Sequence, residues 1–161
     1  VLYWTGGQPF LTQKLCKPLV ENAGLGQNPK EWVEKGVRLK IVENWESQDV
    51  PEHLSTIRDR LFKENQRIIR RLGLYQQILQ QVEIVPDGSA EQMELRLTGL
   101  IVKRREKLTI SNPIYQAVVN QNVIAEQLQK LYPYSDALKV WLHSNSEDDS
   151  QLLRGNDLQS A

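Results

Sequence analysis

The 161 residues carry twenty Lys/Arg and twenty Asp/Glu for a formal net charge of zero, with 40% apolar and 25% charged residues. Such a balance fits a folded globular chain with one substantial core or two small ones. It excludes a strongly basic nucleic-acid arm, and no apolar run approaches the roughly 18 residues that span a bilayer.

The N-terminus has no basic-then-apolar signal pattern, and the single cysteine, Cys16, rules out an internal disulfide. Both fit a reducing, cytoplasmic setting, and Cys16 reads as a small buried hydrophobe among Phe10, Leu11, Leu15 and Leu19. The only methionine is Met93, so Val1 is expected to be a boundary within a longer protein. Residues 58–107 hold eleven Lys/Arg against seven Asp/Glu, and residues 108–161 hold three against six. That polarity is mild.

In chain order, Gly6-Gly7 interrupts a helix ending in Leu2-Tyr3-Trp4, and Pro9 suits the first position of the next helix. This helix carries Phe10, Leu11 and Leu15 until Pro18 kinks or ends it. Gly24 and Gly26 mark a loop. Asn28-Pro29 starts another helix, where Val33, Val37, Ile41 and Trp45 form a stripe weakened at Gly36 by about 1 kcal/mol. Ser47 to Pro51 breaks the chain and is the expected domain boundary. Leu54, Ile57, Leu61 and Phe62 then predict one helix face, and Ile68, Leu72, Tyr75, Leu79 and Val82 a second.

After the turn Pro86-Asp87-Gly88, Ser89-x-x-Gln92 predicts a capping box for a short helix bearing Met93 and Leu97 and ended by Gly99. Leu100–Val102 and Leu108–Ile110 flank a charged turn and read as a β-hairpin. Asn112-Pro113 opens a closing helix with Ile114, Tyr115, Val118, Val119, Ala125 and Leu128 inward. Tyr132-Pro133-Tyr134 is a rigid turn, Ser135 can cap a helix through Trp141, and residues 144–150 are an acidic stretch. The expected fold is therefore mainly α. A helical lid-like subdomain (1–48) precedes a winged helix (49–131), built as a helix-turn-helix plus a β-hairpin wing with residues 89–98 as recognition helix. A helical tail (132–161) follows.

No catalytic constellation appears. His53 and His143 have no metal-ligand spacing and read as solvated or capping, and Glu52, Glu91, Glu94 and Glu147–Asp149 read as charged surface. No G-x-x-x-x-G-K-[ST] loop is present to cradle phosphates, so an ATPase site cannot be assembled from these residues alone, and no enzyme activity or metal site is expected of the chain. The turn Thr5-Gly6-Gly7-Gln8-Pro9-Phe10 nevertheless has the chemistry of a nucleotide rim. Glycine lets backbone approach a ligand closely, and proline offers a flat apolar ring to a base.

Six motifs in order extend this: Trp4–Cys16, Val50–Leu54, Leu72-Gly73-Leu74-Tyr75-Gln76-Gln77-Ile78-Leu79, Leu97–Val102, Asn112–Tyr115 and Leu152-Leu153-Arg154-Gly155. Together they resemble the C-terminal part of the AAA-like domain of bacterial, mainly cyanobacterial, signalling ATPases of the STAND class. The resemblance implies a nucleotide-controlled switch whose P-loop core would precede Val1. In such switches core, lid and winged helix close around ADP until an attached sensor binds its signal. Gly7-Gln8-Pro9 matches the family's Gly-x-Pro lid motif. Asn112 falls where related switches place a phosphate-reading histidine, and it can donate an amide hydrogen bond but carries no charge. The resemblance implies ATP or ADP with Mg in the parent protein, with the P-loop core and C-terminal sensor or effector domains as partners.

Two other readings compete. The wing residues Lys103, Arg104, Arg105 and Lys107, with the run Arg58, Arg60, Lys63, Arg67, Arg70 and Arg71, offer cations to DNA, although much of that run reads as a solvated face. Glu91 and Glu94 on the recognition helix oppose this. The other reading is a protein adaptor that never meets nucleotide. Self-association through an apolar patch at Trp4, Phe10 and Leu11 is a further expectation.

Overall fold

The computed structural model describes residues 1–21, 28–43, 45–63 and 66–131. The loop glycines Gly24 and Gly26 and the expected tail 132–161, with His143, Glu147–Asp149 and the Leu152–Gly155 motif, lie outside them. The described residues are mainly helical, with one small antiparallel sheet. Contacts divide the chain into two units at 124/125, so residues 1–48 and the helices and hairpin after them fall in the first unit.

The first helix, α1 (Leu2–Thr5), ends at Gly6, whose φ of 59° is left-handed. In α2 (Pro9–Glu21), Gln8 Oε1 accepts from the Leu11 N–H at 2.7 Å and satisfies one orphan donor of the first turn. Leu11 and Leu15 are fully buried, while Trp4, Phe10 and Cys16 are only half-buried. Of the expected apolar patch only Leu11 is fully buried, and the exposed apolar residues beside Trp4 are Leu2 and Tyr3. Pro18 does not end α2. It lies in the last turn, where its missing N–H costs a single helical bond, and the helix runs on to Glu21.

Asn28 caps α3 (Pro29–Val37), its Oδ1 accepting from the Lys30 N–H at 3.0 Å. A Cβ on Gly36 would lie 2.9 Å from Leu19 Cδ2, so this glycine lets α3 approach α2. The helix widens into a π-turn, Arg38–Val42, closed by a bond from Glu43 N–H to Arg38 O. Val37 and Ile41 are the buried members of the expected stripe. After the short α4 (Trp45–Gln48), Asp49 caps the next helix from outside. Its Oδ2 accepts from the N–H groups of His53 and Ser55 and from the Ser55 hydroxyl. Burial pushes the Asp49 carboxyl up, but those bonds and one from Leu54 outweigh it and hold the group below the usual carboxylate range.

Leu54, Ile57 and Leu61 of α5 (Leu54–Phe62) and Ile68, Leu72, Tyr75 and Ile78 of α6 (Ile68–Leu79) build the core. Val82 lies past the end of α6 and is exposed. Arg71 is not the solvated residue its neighbours suggest. It is 2% exposed and donates to Leu61 O, Lys63 O and Glu94, tying α5, α6 and α7 (Ala90–Thr98) together.

The expected capping box does not form. Ser89 makes no side-chain cap, while Gln92 is buried, accepts from Asp87 N–H and donates to Val85 O. That anchor turns Gln92, Leu95 and Thr98 inward and leaves Met93 and Leu97 outward, reversing the expected face. Strands β1 (Ile101–Arg104) and β2 (Lys107–Ile110) pair antiparallel with Val102 opposite Thr109. Their turn residues, Arg105 and Glu106, both have positive φ, as a tight hairpin turn requires. The expected closing helix is two: α8 (Pro113–Val118), capped by Asn112, and α9 (Gln121–Leu131), opened by Asn120. The break shifts the phase, so Ile124 is buried and Ala125 exposed.

Candidate functional site

Residues far apart in sequence wall one cleft of about 510 Å³ in the first unit. The turn between α1 and α2 forms one side. Gly6 packs so closely on the Ser111–Asn112 backbone that a Cβ there would lie 2.6 Å from Ser111 O and 3.0 Å from Asn112 Cβ. Gly7 is also left-handed, with φ 78°, but a Cβ on it would meet nothing within 4 Å. The Thr5 hydroxyl holds the turn, bonding Thr12 Oγ1 at 2.9 Å and accepting from the Gly7 N–H.

The first turns of α5 bring His53, Thr56 and Arg60 to the cleft at i, i+3 and i+7, one helix face. From β1 come Val102 and Arg104, two residues apart and so on the same face of the strand. Arg104 Nη2 donates to Ser111 O at 3.1 Å, the carbonyl against which Gly6 packs. Thr98 and Gly99, with φ 84°, close the wall at the end of α7.

His53 lies against the Phe10 ring at 4.7 Å, and its Nε2 is 2.9 Å from the Tyr115 hydroxyl, one hydrogen bond whichever of the two donates. Burial lowers the His53 pKa, the Asp49 carboxylate pulls the other way, and the Lys14 and Arg60 charges lower it further. Burial pushes Tyr115 up to about 12, with a hydrogen bond from Asn112 acting against it. Both shifts favour the neutral ring. His53 is thus half-buried at the N-cap position of α5, where its side chain bonds Tyr115 rather than capping the helix.

Of the expected nucleotide contacts, Gly7, Gln8 and Asn112 meet in this cleft. Pro9 is exposed, opens α2 and is not among the walls. Asn112 is buried, and its Oδ1 is committed to capping α8 through the Tyr115 N–H at 2.9 Å. The four wing cations do not act together. Arg104 faces the cleft, while Lys103 pairs with Glu106 at 2.8 Å and lines an adjoining groove with Met93 and Arg96 that shares Leu97 and Val102 with the cleft. Lys107 pairs with Glu83, and Arg105 sits at the exposed hairpin tip. Thr56 goes unmarked in the sequence, and His53, Arg60 and Tyr115 read there as a solvated or capping residue, a basic surface residue and a core residue, not as walls of a common cleft. The spacing of His53, Thr56 and Arg60 was visible, but nothing local to α5 says what that face meets.

The cleft's permanent charges are Arg60, Arg104 and Glu52, beside hydroxyl and amide groups and an aliphatic wall of Ile57, Leu97 and Val102. Such a surface can bind an anion that carries an apolar part. Among the described residues no group of three His, Cys, Asp or Glu could hold a metal ion, and no helix is long and apolar enough to cross a membrane.

No established protein family's sequence profile matches the chain, and no solved structure is similar to it. The chain is 46% identical, over its whole length, to an uncharacterised WD repeat-containing protein of Synechocystis sp.. It spans only 14% of that protein's length.

Proposed function

We propose that this chain is the lid and winged-helix part of a STAND-class signalling ATPase of the cytoplasm. It closes over ADP or ATP that a P-loop core of the same protein holds with Mg. The supporting observation is the convergence of Gly7 and Gln8 with Asn112 on one cleft, where the Gly6 backbone packs on Ser111. Here α5, α6 and α7 are the three helices of the winged helix, β1–β2 is its wing, and α8 closes it. The similar Synechocystis protein is described as containing WD repeats.

The phosphate and metal contacts would come mostly from the core, and every 1.4 kcal/mol lost costs about tenfold in affinity. Calorimetry on the 161-residue chain is therefore expected to find no micromolar ADP binding, whereas the parent protein retains ADP. Micromolar binding by the chain, or none by the parent, would overturn the reading.

A protein-docking adaptor is the second reading, and the exposure of Met93 and Leu97 on α7 favours it. DNA binding is less well supported, because that face is apolar and acidic apart from Arg96, and Lys103 and Lys107 are already paired. A parent protein without any P-loop would favour the adaptor. Retention on duplex DNA that falls steeply with salt would favour the DNA reading.

A further inference from the structure

We propose that Arg60 and Arg104 are this chain's own contacts to the phosphate chain of a nucleoside di- or triphosphate, with the base or sugar against Ile57, Leu97 and Val102. The proposal rests on the switch reading but concerns residues that reading does not use.

Both arginines wall the same cleft, one from α5 and one from β1. Arg60 is exposed and has no ion-pair partner among the described residues. Arg104 spends one of its five N–H donors on Ser111 O, which orients the guanidinium and leaves the rest available. Against the two cations the cleft has one carboxylate, Glu52, and the remaining ionisable side chains, His53 and Tyr115, are shifted toward their neutral forms. An excess of positive charge along the walls of a cleft favours an anion, and guanidinium forks suit the several oxygens of a polyphosphate. The aliphatic wall beside them gives the uncharged end of such a ligand a place to lie. Asn112 cannot fill the charged role, since it is neutral and its Oδ1 caps α8.

The test is a titration of the 161-residue chain with inorganic pyrophosphate, adenosine and ADP at low salt, read as amide shifts in two-dimensional NMR. Pyrophosphate and ADP are expected to bind weakly, with dissociation constants on the order of 1 mM, and to shift amides around Arg60, Gly99, Arg104 and Ser111. Arg60→Gln or Arg104→Gln should weaken both about tenfold and leave adenosine unchanged. Arg105→Gln, at the hairpin tip outside the cleft, should alter neither. The spectra themselves report whether each variant is folded. No pyrophosphate shifts in the cleft, or shifts equally reduced by Arg105→Gln, would overturn the proposal. In the parent protein the two ideas separate. If only this one fails, Pro9→Ala still changes ADP release while Arg60→Gln and Arg104→Gln do not. If only the switch reading fails, the chain still binds pyrophosphate through both arginines and the parent binds no ADP.

Discussion

Gly6 and Gly7 are neighbours with left-handed backbones, yet their substitutions should differ. At Gly7 an added methyl meets open space, so Gly7→Ala is expected to cost only the left-handed penalty of about 1–2 kcal/mol. At Gly6 the same penalty is joined by a collision with Ser111 O, and the loss should reach about 3 kcal/mol or more. Urea unfolding of the two variants checks the order, and equal losses would mean the turn does not press on Ser111. His53 gives a second residue-scale prediction. Its pKa is depressed in the fold, so the unfolded chain binds the proton more readily. The stability tied to neutral His53 is complete above the ordinary value near 6.5 and is lost as pH falls below it. Melting temperature should therefore drop from pH 7 to pH 5.5 more in the wild type than in His53→Gln. Identical profiles would show that the ring titrates freely.

The elements show how local and distant forces divided the fold. Where a signal is self-contained the sequence revealed it. Asn28-Pro29 and Asn112-Pro113 each supply a cap and a pre-set first turn, and Gly99 supplies the left-handed stop of α7. The hairpin was equally plain, because two β-branched runs flank a charged turn. The orientation of α7 was not. Ser89 and Gln92 have the spacing of a capping box, but Gln92 finds better-placed backbone at Val85 and Asp87, and that tertiary anchor decides which face is buried. Arg71 was hidden for a similar reason, since two carbonyls and Glu94 make burial of its charge tolerable only in three dimensions. A direct consequence is that Leu95→Ala should cost about 2–5 kcal/mol, while Leu97→Ala should stay within about 0.5 kcal/mol. Chemical denaturation of both variants checks the face, and the reverse order would restore the one that periodicity suggested.

At the scale of the whole molecule, the candidate site exists only because distant segments converge. The Thr5–Phe10 turn stood out in the sequence by its glycines and proline, and Asn112 by its proline partner. Neither could reveal that they share a wall with His53, Arg60 and Arg104, since that depends on Gly6 allowing the turn to rest on Ser111. The central claim is that this assembly closes over a nucleotide held by a P-loop core. Release of a fluorescent ADP analogue from the parent protein tests it most directly, with wild type compared against Pro9→Ala. Faster release from the variant is the result this account predicts. An unchanged rate, or a parent that holds no nucleotide at all, would contradict it.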